Sequence, residues 1–258
     1  MSYHPAHLPE SGFAMPEIRQ IGFERPFFWL RAGWHDVRAN PLPSLAYGVL
    51  FALGGDLIIL AFLQTPHLIS VAISGFFLIA PLLAAGLYEL SRRHEAGEKI
   101  LFIDSLKCFV RNGQSLAFFG LIVALILLMW ERFSAVTFAL IGANSMQVAS
   151  VYLNELLFNA EHWAFAATWF ALGGLLALFL FALAVVSVPL ILDRDADVAT
   201  AMMTSLRAFV RNPGPLLLWA ALLVVLTLLG FATLLFGLVV IMPILGHASW
   251  HAHRELVE

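Results

Sequence analysis

Between Ser44 and Gly246 the sequence is a succession of apolar blocks separated by short polar breaks. Ser44–Gln64 and His67–Leu90 each exceed the roughly 20 apolar residues that cross a hydrocarbon core of about 30 Å. Thr65-Pro66 divides them and predicts a tight hairpin. Ser115–Trp130 is a third span that can run on past Glu131 and Arg132. A longer, more polar connection reaches Trp163, and Ala164–Leu192 is the fourth span. The last block, Pro215–Gly246, would measure about 48 Å as one helix at about 1.5 Å per residue, too long for the core without severe tilt. A hairpin turning near Gly230 resolves this and brings the prediction to six transmembrane helices, with five as the alternative. The fold class expected is therefore an all-α polytopic membrane bundle.

Composition agrees with lipid as part of the solvent. Hydrophobic residues make up 61% of the 258 and charged residues 12%, against about 25% charged in a typical soluble protein. The 22 Phe and 7 Trp suit a bilayer and its interfaces. A net charge of −3 points away from nucleic acid as a partner. The single cysteine, Cys108, excludes an intrachain disulfide. Met1–Arg25 is polar and has no apolar core of a cleavable signal, so the first span is expected to serve as its own insertion signal. Residues 1–28 read as a cytoplasmic N-terminal tail and 29–258 as one transmembrane domain.

Orientation follows from Lys and Arg. With six spans and the N-terminus inside, thirteen of the fourteen fall on the cytoplasmic side and only Arg132 outside. This positive-inside pattern predicts both termini in the cytoplasm and residence in the inner membrane.

The chain also repeats itself. Ser105–Gly113 reads SLKCFVRNG, Ser205–Pro213 reads SLRAFVRNP, and Gly33–Pro41, GWHDVRANP, is a weaker third copy. Each reads as an interfacial helix stopped at Asn-Gly or Asn-Pro and followed by an apolar span. Ile100–Asn112 and Val198–Asn212 are the interfacial helices of the two stronger copies. Pro81, Pro189 and Pro243 recur late in the second span of each unit. Three two-span units, approximately 33–99, 100–197 and 198–254, would be parallel repeats about an axis along the membrane normal.

Aligning the late prolines places Ala85, Asp193 and His247 four residues on, and Glu89, Asp197 and His251 eight residues on. Both offsets keep roughly one helix face, so these groups could converge at the cytoplasmic mouth. No cofactor is predicted as such. Carboxylate with imidazole nonetheless suits zinc, manganese or iron, and His247 and His251 at i, i+4 are the pair through which a metal or haem would be held. The plainer expectation is a belt of salt bridges and Asn caps with the nearby arginines, His253 pointing elsewhere. Arg38, Arg111, Arg207 and Arg211 are candidate contacts for anionic lipid headgroups. Asp56, inside the first span after Gly54-Gly55, is a candidate intramembrane acid with a proton or ion role. Gly48, Gly54, Gly173 and Gly174 read as sites of close helix packing.

The stretches GHASWHAHRE (Gly246–Glu255), PLLAAGLYELSRR (Pro81–Arg93), LRAGWHDVRANPLPSLAYG (Leu30–Gly48) and VSVPLILDRDADVATAM (Val186–Met202) resemble a bacterial family of predicted integral membrane proteins, domain-of-unknown-function family 2189. The resemblance runs from about Trp29 to Arg254. It implies a multi-span membrane protein and no assigned activity. The sequence contains no nucleophile elbow, phosphate loop, dinucleotide fingerprint or paired-cysteine site. The reading that follows is a non-enzymatic accessory or assembly partner of another membrane complex. The alternatives are a small transporter or channel built on the threefold repeat, and a metal- or haem-handling protein.

Overall fold

The computed structural model describes residues 15–64, 83–98, 101–141 and 163–258. They form α1 (Arg25–Ala39), α2 (Pro41–Gln64), α3 (residues 83–95), α4 (Phe102–Ser105), α5 (Lys107–Arg111), α6 (Gly113–Ile141), α7 (Trp163–Ala184), α8 (Ser187–Arg194), α9 (Val198–Arg211), α10 (Pro213–Ala232) and α11 (Leu238–Leu256). The Thr65-Pro66 turn, Pro81 and most of the expected second span lie outside the described residues, as does 142–162 of the outer connection.

The Asn-Pro and Asn-Gly boundaries behave as the sequence predicts. Asn40, Asn112 and Asn212 each end a short helix, and a long apolar helix starts on the next residue. Proline tolerates the first helical position because its missing N–H has no partner there anyway, which lets α10 open on Pro213. Asp197 caps α9 by accepting from Thr200 N at 3.0 Å.

Two expected helices are broken. Ala164–Leu192 splits at 185–186 into α7 and α8. The cause is Pro189, which cannot give an N–H to the carbonyl four residues back and whose ring crowds it. Ser205 takes up two backbone groups freed near the break: its hydroxyl accepts from Val186 N at 3.2 Å and donates to Ala182 O at 2.7 Å. Ile100–Asn112 is two short helices, α4 and α5. There the equivalent Ser105 turns its hydroxyl onto Phe102 O and Tyr47 Oη, a local bond that competes with continuous helix.

The apolar block Pro215–Gly246 is two helices. α10 stops at Ala232, and α11 starts at Leu238 after a turn in which Leu234 and Leu235 take φ of 53° and 67°. Thr233 Oγ1 accepts from Gly237 N at 2.9 Å inside this turn. The break falls a few residues beyond Gly230, whose missing Cβ leaves room for Leu238.

α11 is the helix around which α1, α2 and α3 assemble. Pro243 offers no N–H to the Val239 carbonyl, and that carbonyl presses on Gly48 of α2. Gly33 of α1 lies against Ile244 O and Ala248 N, where a Cβ would stand 2.5 and 2.7 Å away. Gly246 lies against Leu87, and Trp29 meets Trp219 of α10 edge-on at 5.6 Å. Gly173 packs under Trp130, whereas Gly174 has nothing within 4 Å, so its expected packing role is not realised among the described residues.

Residues 15–24, assigned from sequence to a tail, run along the C-terminal end of α11. Ile18 bridges Val257, Arg19 N donates to Leu256 O at 2.9 Å, and Glu258 N donates to Glu17 O at 3.0 Å. The 28/29 boundary falls inside α1.

Candidate functional site

A buried polar cluster sits where α1, α2, α3 and α11 meet. Asp36 of α1 is its centre, 4% exposed. Ser91 Oγ donates to Asp36 Oδ2 at 2.6 Å. His251 Nε2 stands 2.9 Å from the same oxygen, and His94 Nδ1 stands 2.9 Å from Oδ1. Ser91 and His94 share a face of α3 because they are three residues apart, and His247 and His251 share a face of α11 at four. His247, 1% exposed, bridges two serines, with Nδ1 at 2.7 Å from Ser91 Oγ and Nε2 at 2.9 Å from Ser44 Oγ.

Two of the protons in this chain can be assigned. An ionised carboxylate only accepts, so Ser91 spends its proton on Asp36 and must accept from His247 Nδ1. Ser44 Oγ, with one proton to give, stands 2.8 Å from Asn40 O and 2.9 Å from His247 Nε2 and serves one of the two. Burial pushes the Asp36 carboxyl up, but hydrogen bonds from His251 and Ser91 first, with the electrostatic pull of the neighbouring imidazoles, outweigh it and hold it at about 2. The order Asp–Ser–His–Ser differs from a nucleophilic triad, because the serine between acid and imidazole is a relay and not a nucleophile. The arrangement is a hydrogen-bonded chain across four helices.

Two further groups continue the layer. Glu89, fully buried, takes a two-pronged bond from Arg92 at 2.8 and 2.8 Å, one from Arg93 at 2.7 Å and one from Arg111 at 3.3 Å. Arg111 also donates to Leu192 O, and Asn112 Nδ2 to Ile191 O, which ties α5 to the end of α8. Asp193 meets His253 Nε2 at 3.2 Å and Arg254 at 3.4 Å. Arg254 in turn pairs with Glu95 at 3.2 Å, and Glu95 lies 3.7 Å from His251 Nδ1. Beside Glu89, buried Cys108 has its thiol pushed up to about 12, by burial first and then by the Glu89 charge. It is protonated and inert at neutral pH.

Of the residues singled out from sequence, Asp193, His247 and His251 are thus linked through shared partners, and Glu89 lies on α3 with arginine partners of its own. Asp197 does not join them by any contact described; it is exposed and caps its own helix through Thr200. His247 and His251 turn to different neighbours, and among the described residues no group of three His, Cys, Asp or Glu side chains is arranged to hold a metal ion. His253, read as pointing elsewhere, is the partner of Asp193. Asp56 is exposed on α2. Asp36, Ser44, Ser91 and His94 were missed, although Asp36 lies in the third repeat copy, where the stronger copies carry Cys108 and Ala208.

The outer surface defines the class. Large apolar side chains lie exposed in stripes: Val49, Leu53 and Leu57 on α2, Leu121, Leu125 and Leu128 on α6, and Val224, Val225 and Leu228 on α10. A water-soluble monomer rarely exposes apolar patches beyond a few hundred Å². Four stretches are long and apolar enough to cross a membrane: Pro41–Ile58, Gly113–Phe133, Phe170–Arg194 and Pro213–Ala232. The fold and its surface are those of an integral membrane protein with several apolar helices. Residues 68–193 match the family model described as predicted integral membrane protein (DUF2189). The match includes PLLAAGLYELSRR and the start of VSVPLILDRDADVATAM; the other two motifs lie outside it. No curated protein and no solved structure matches the chain.

Proposed function

We propose that this protein is a non-catalytic accessory subunit of a bacterial inner-membrane complex, built as three two-span units with six spans and both termini cytoplasmic. The observation that carries this reading is Asp56. It stands fifteen residues into α2, exposed between the exposed Leu53 and Leu57, within the stretch Pro41–Ile58. A carboxylate presented to lipid from within a span costs several kcal/mol, and such groups ordinarily face protein or water. A neighbouring membrane protein that meets the Asp56 face of α2 removes the cost. The carboxylates and imidazoles of the polar layer are meanwhile engaged in holding helices to one another, so recognition falls to the outer face.

Purification in mild detergent followed by cross-linking tests the reading. A stoichiometric membrane partner is expected, and Asp56→Leu should abolish its capture while leaving the protein folded and monodisperse. A lone protein that instead conducts ions in liposomes, with conduction lost in Asp56→Leu, would replace this reading with the transporter.

The orientation has its own test. Cysteine placed at Asn154 should react with an impermeant thiol reagent in spheroplasts and cysteine at Gly97 should not, against a background kept silent by buried Cys108. The reverse labelling would invert the topology.

A further inference from the structure

The repeated motif allows a comparison of the same two positions in different surroundings. Counting back from the terminal Asn, Lys107 and Arg111 in one copy correspond to Arg207 and Arg211 in the other. In the first copy both cations are taken. Lys107 pairs with Asp104 at 2.6 Å, and Arg111 is held by Glu89 and Leu192 O. In the other copy Arg207 and Arg211 are exposed one turn apart on α9, and neither forms an ion pair among the described residues. They line an open groove of about 470 Å³ together with Ile18, Leu206 and Val210. Among the described residues the groove therefore has two unpaired guanidiniums and an apolar floor.

Its depth is set by the next helix. Arg211 precedes by two residues the stretch Pro213–Ala232, which is long and apolar enough to cross the bilayer. That puts the pair at headgroup level. The outward side of α10, with Leu217, Val224 and Leu228 exposed, continues from there into the hydrocarbon. We infer that Arg207 and Arg211 form a binding site for an anionic phospholipid, the guanidiniums taking the phosphate and the apolar floor and α10 taking the acyl chains. Planar guanidinium matches phosphate oxygens two at a time, which suits this pair better than two lysines. Arg38 lies over the Trp34 ring at 4.8 Å and Arg111 is engaged inside the protein, so neither offers an equivalent site.

The full chain, purified in mild detergent, tests this by native mass spectrometry with added phosphatidylglycerol or phosphatidylcholine. Phosphatidylglycerol should be retained as discrete adducts and phosphatidylcholine should not. Arg207→Gln with Arg211→Gln should weaken retention roughly thirty-fold, about 1 kcal/mol being carried by each basic residue near an anionic surface. Val210→Asp, at a 69% exposed position where folding is not at stake, should weaken it as well. Lys107→Gln, whose cation is already paired, should leave it unchanged. Retention unaffected by the double substitution, or equal in Lys107→Gln and the double variant, would overturn the site. Displacement of the lipid by millimolar inorganic phosphate would show a phosphate site and overturn the lipid assignment.

Discussion

Asp36→Ala is expected to destabilise the protein by about 3 kcal/mol, with Asp36→Asn losing clearly less. Removing one partner of a buried charged cluster leaves the others uncompensated, at a cost of about 3–5 kcal/mol. The lower end applies because His94 and His251 are still partly open to solvent, at 32% and 22%. Thermal unfolding in detergent measures it, and an unchanged midpoint would mean that the cluster does not hold α1, α3 and α11 together. The same carboxylate makes an acid-sensitive contribution. Its folded value of about 2 lies below the ordinary carboxyl value of 3.8, so its stabilisation is present above 3.8 and is lost as pH falls through the interval between the two. In wild type the midpoint should therefore drop across that interval by an increment missing from Asp36→Asn.

Gly48→Ala is expected to be nearly as damaging, at about 3 kcal/mol, the upper end for overpacking by a single group. The new Cβ would fall inside the contact radius of the Val239 carbonyl, and neither partner is a side chain that can swing away. Gly174→Ala is the control. Nothing stands within 4 Å of that position, and alanine is the better helix former, so it should be neutral or slightly stabilising. Equal effects of the two substitutions in an unfolding assay would show that the α2–α11 contact is looser than its geometry.

What could be read from sequence here was periodic or local. Apolar length identified four stretches able to cross a membrane, and the recurrent Asn located three helix ends to the residue, because both properties belong to a single segment. The late-proline offset places Asp193, His247 and His251 among shared partners, because residues four and eight apart keep one helix face; for Glu89 its reference, Pro81, lies outside the described residues. It failed for Asp197, since Asp195 turns into the left-handed region at φ 51° and ends α8 before the offset is complete. The centre of the layer was not legible. Asp36 meets its partners only after helices far apart in sequence have packed, and nothing near it signals that it will be buried. The break at 185–186 was legible in Pro189 but was masked by the unbroken apolarity of Ala164–Leu192. The mending hydroxyl, Ser205, belongs to the next unit.

The joining of α11 to α1 has a consequence for biogenesis. Trp29 Nε1 donates to Glu255 at 2.6 Å, and the two residues are 226 positions apart. Asp36, Gly33 and Gly48 likewise face residues of α11. The α1–α2 unit is therefore made with a carboxylate and two bare glycine surfaces whose complement has not yet been synthesised. It must wait through the insertion of every intervening helix, and a ribosome that stalls before Leu238 leaves it unfinished. Closure of the α1–α2 unit against α11 is accordingly a step that follows the synthesis of everything between them.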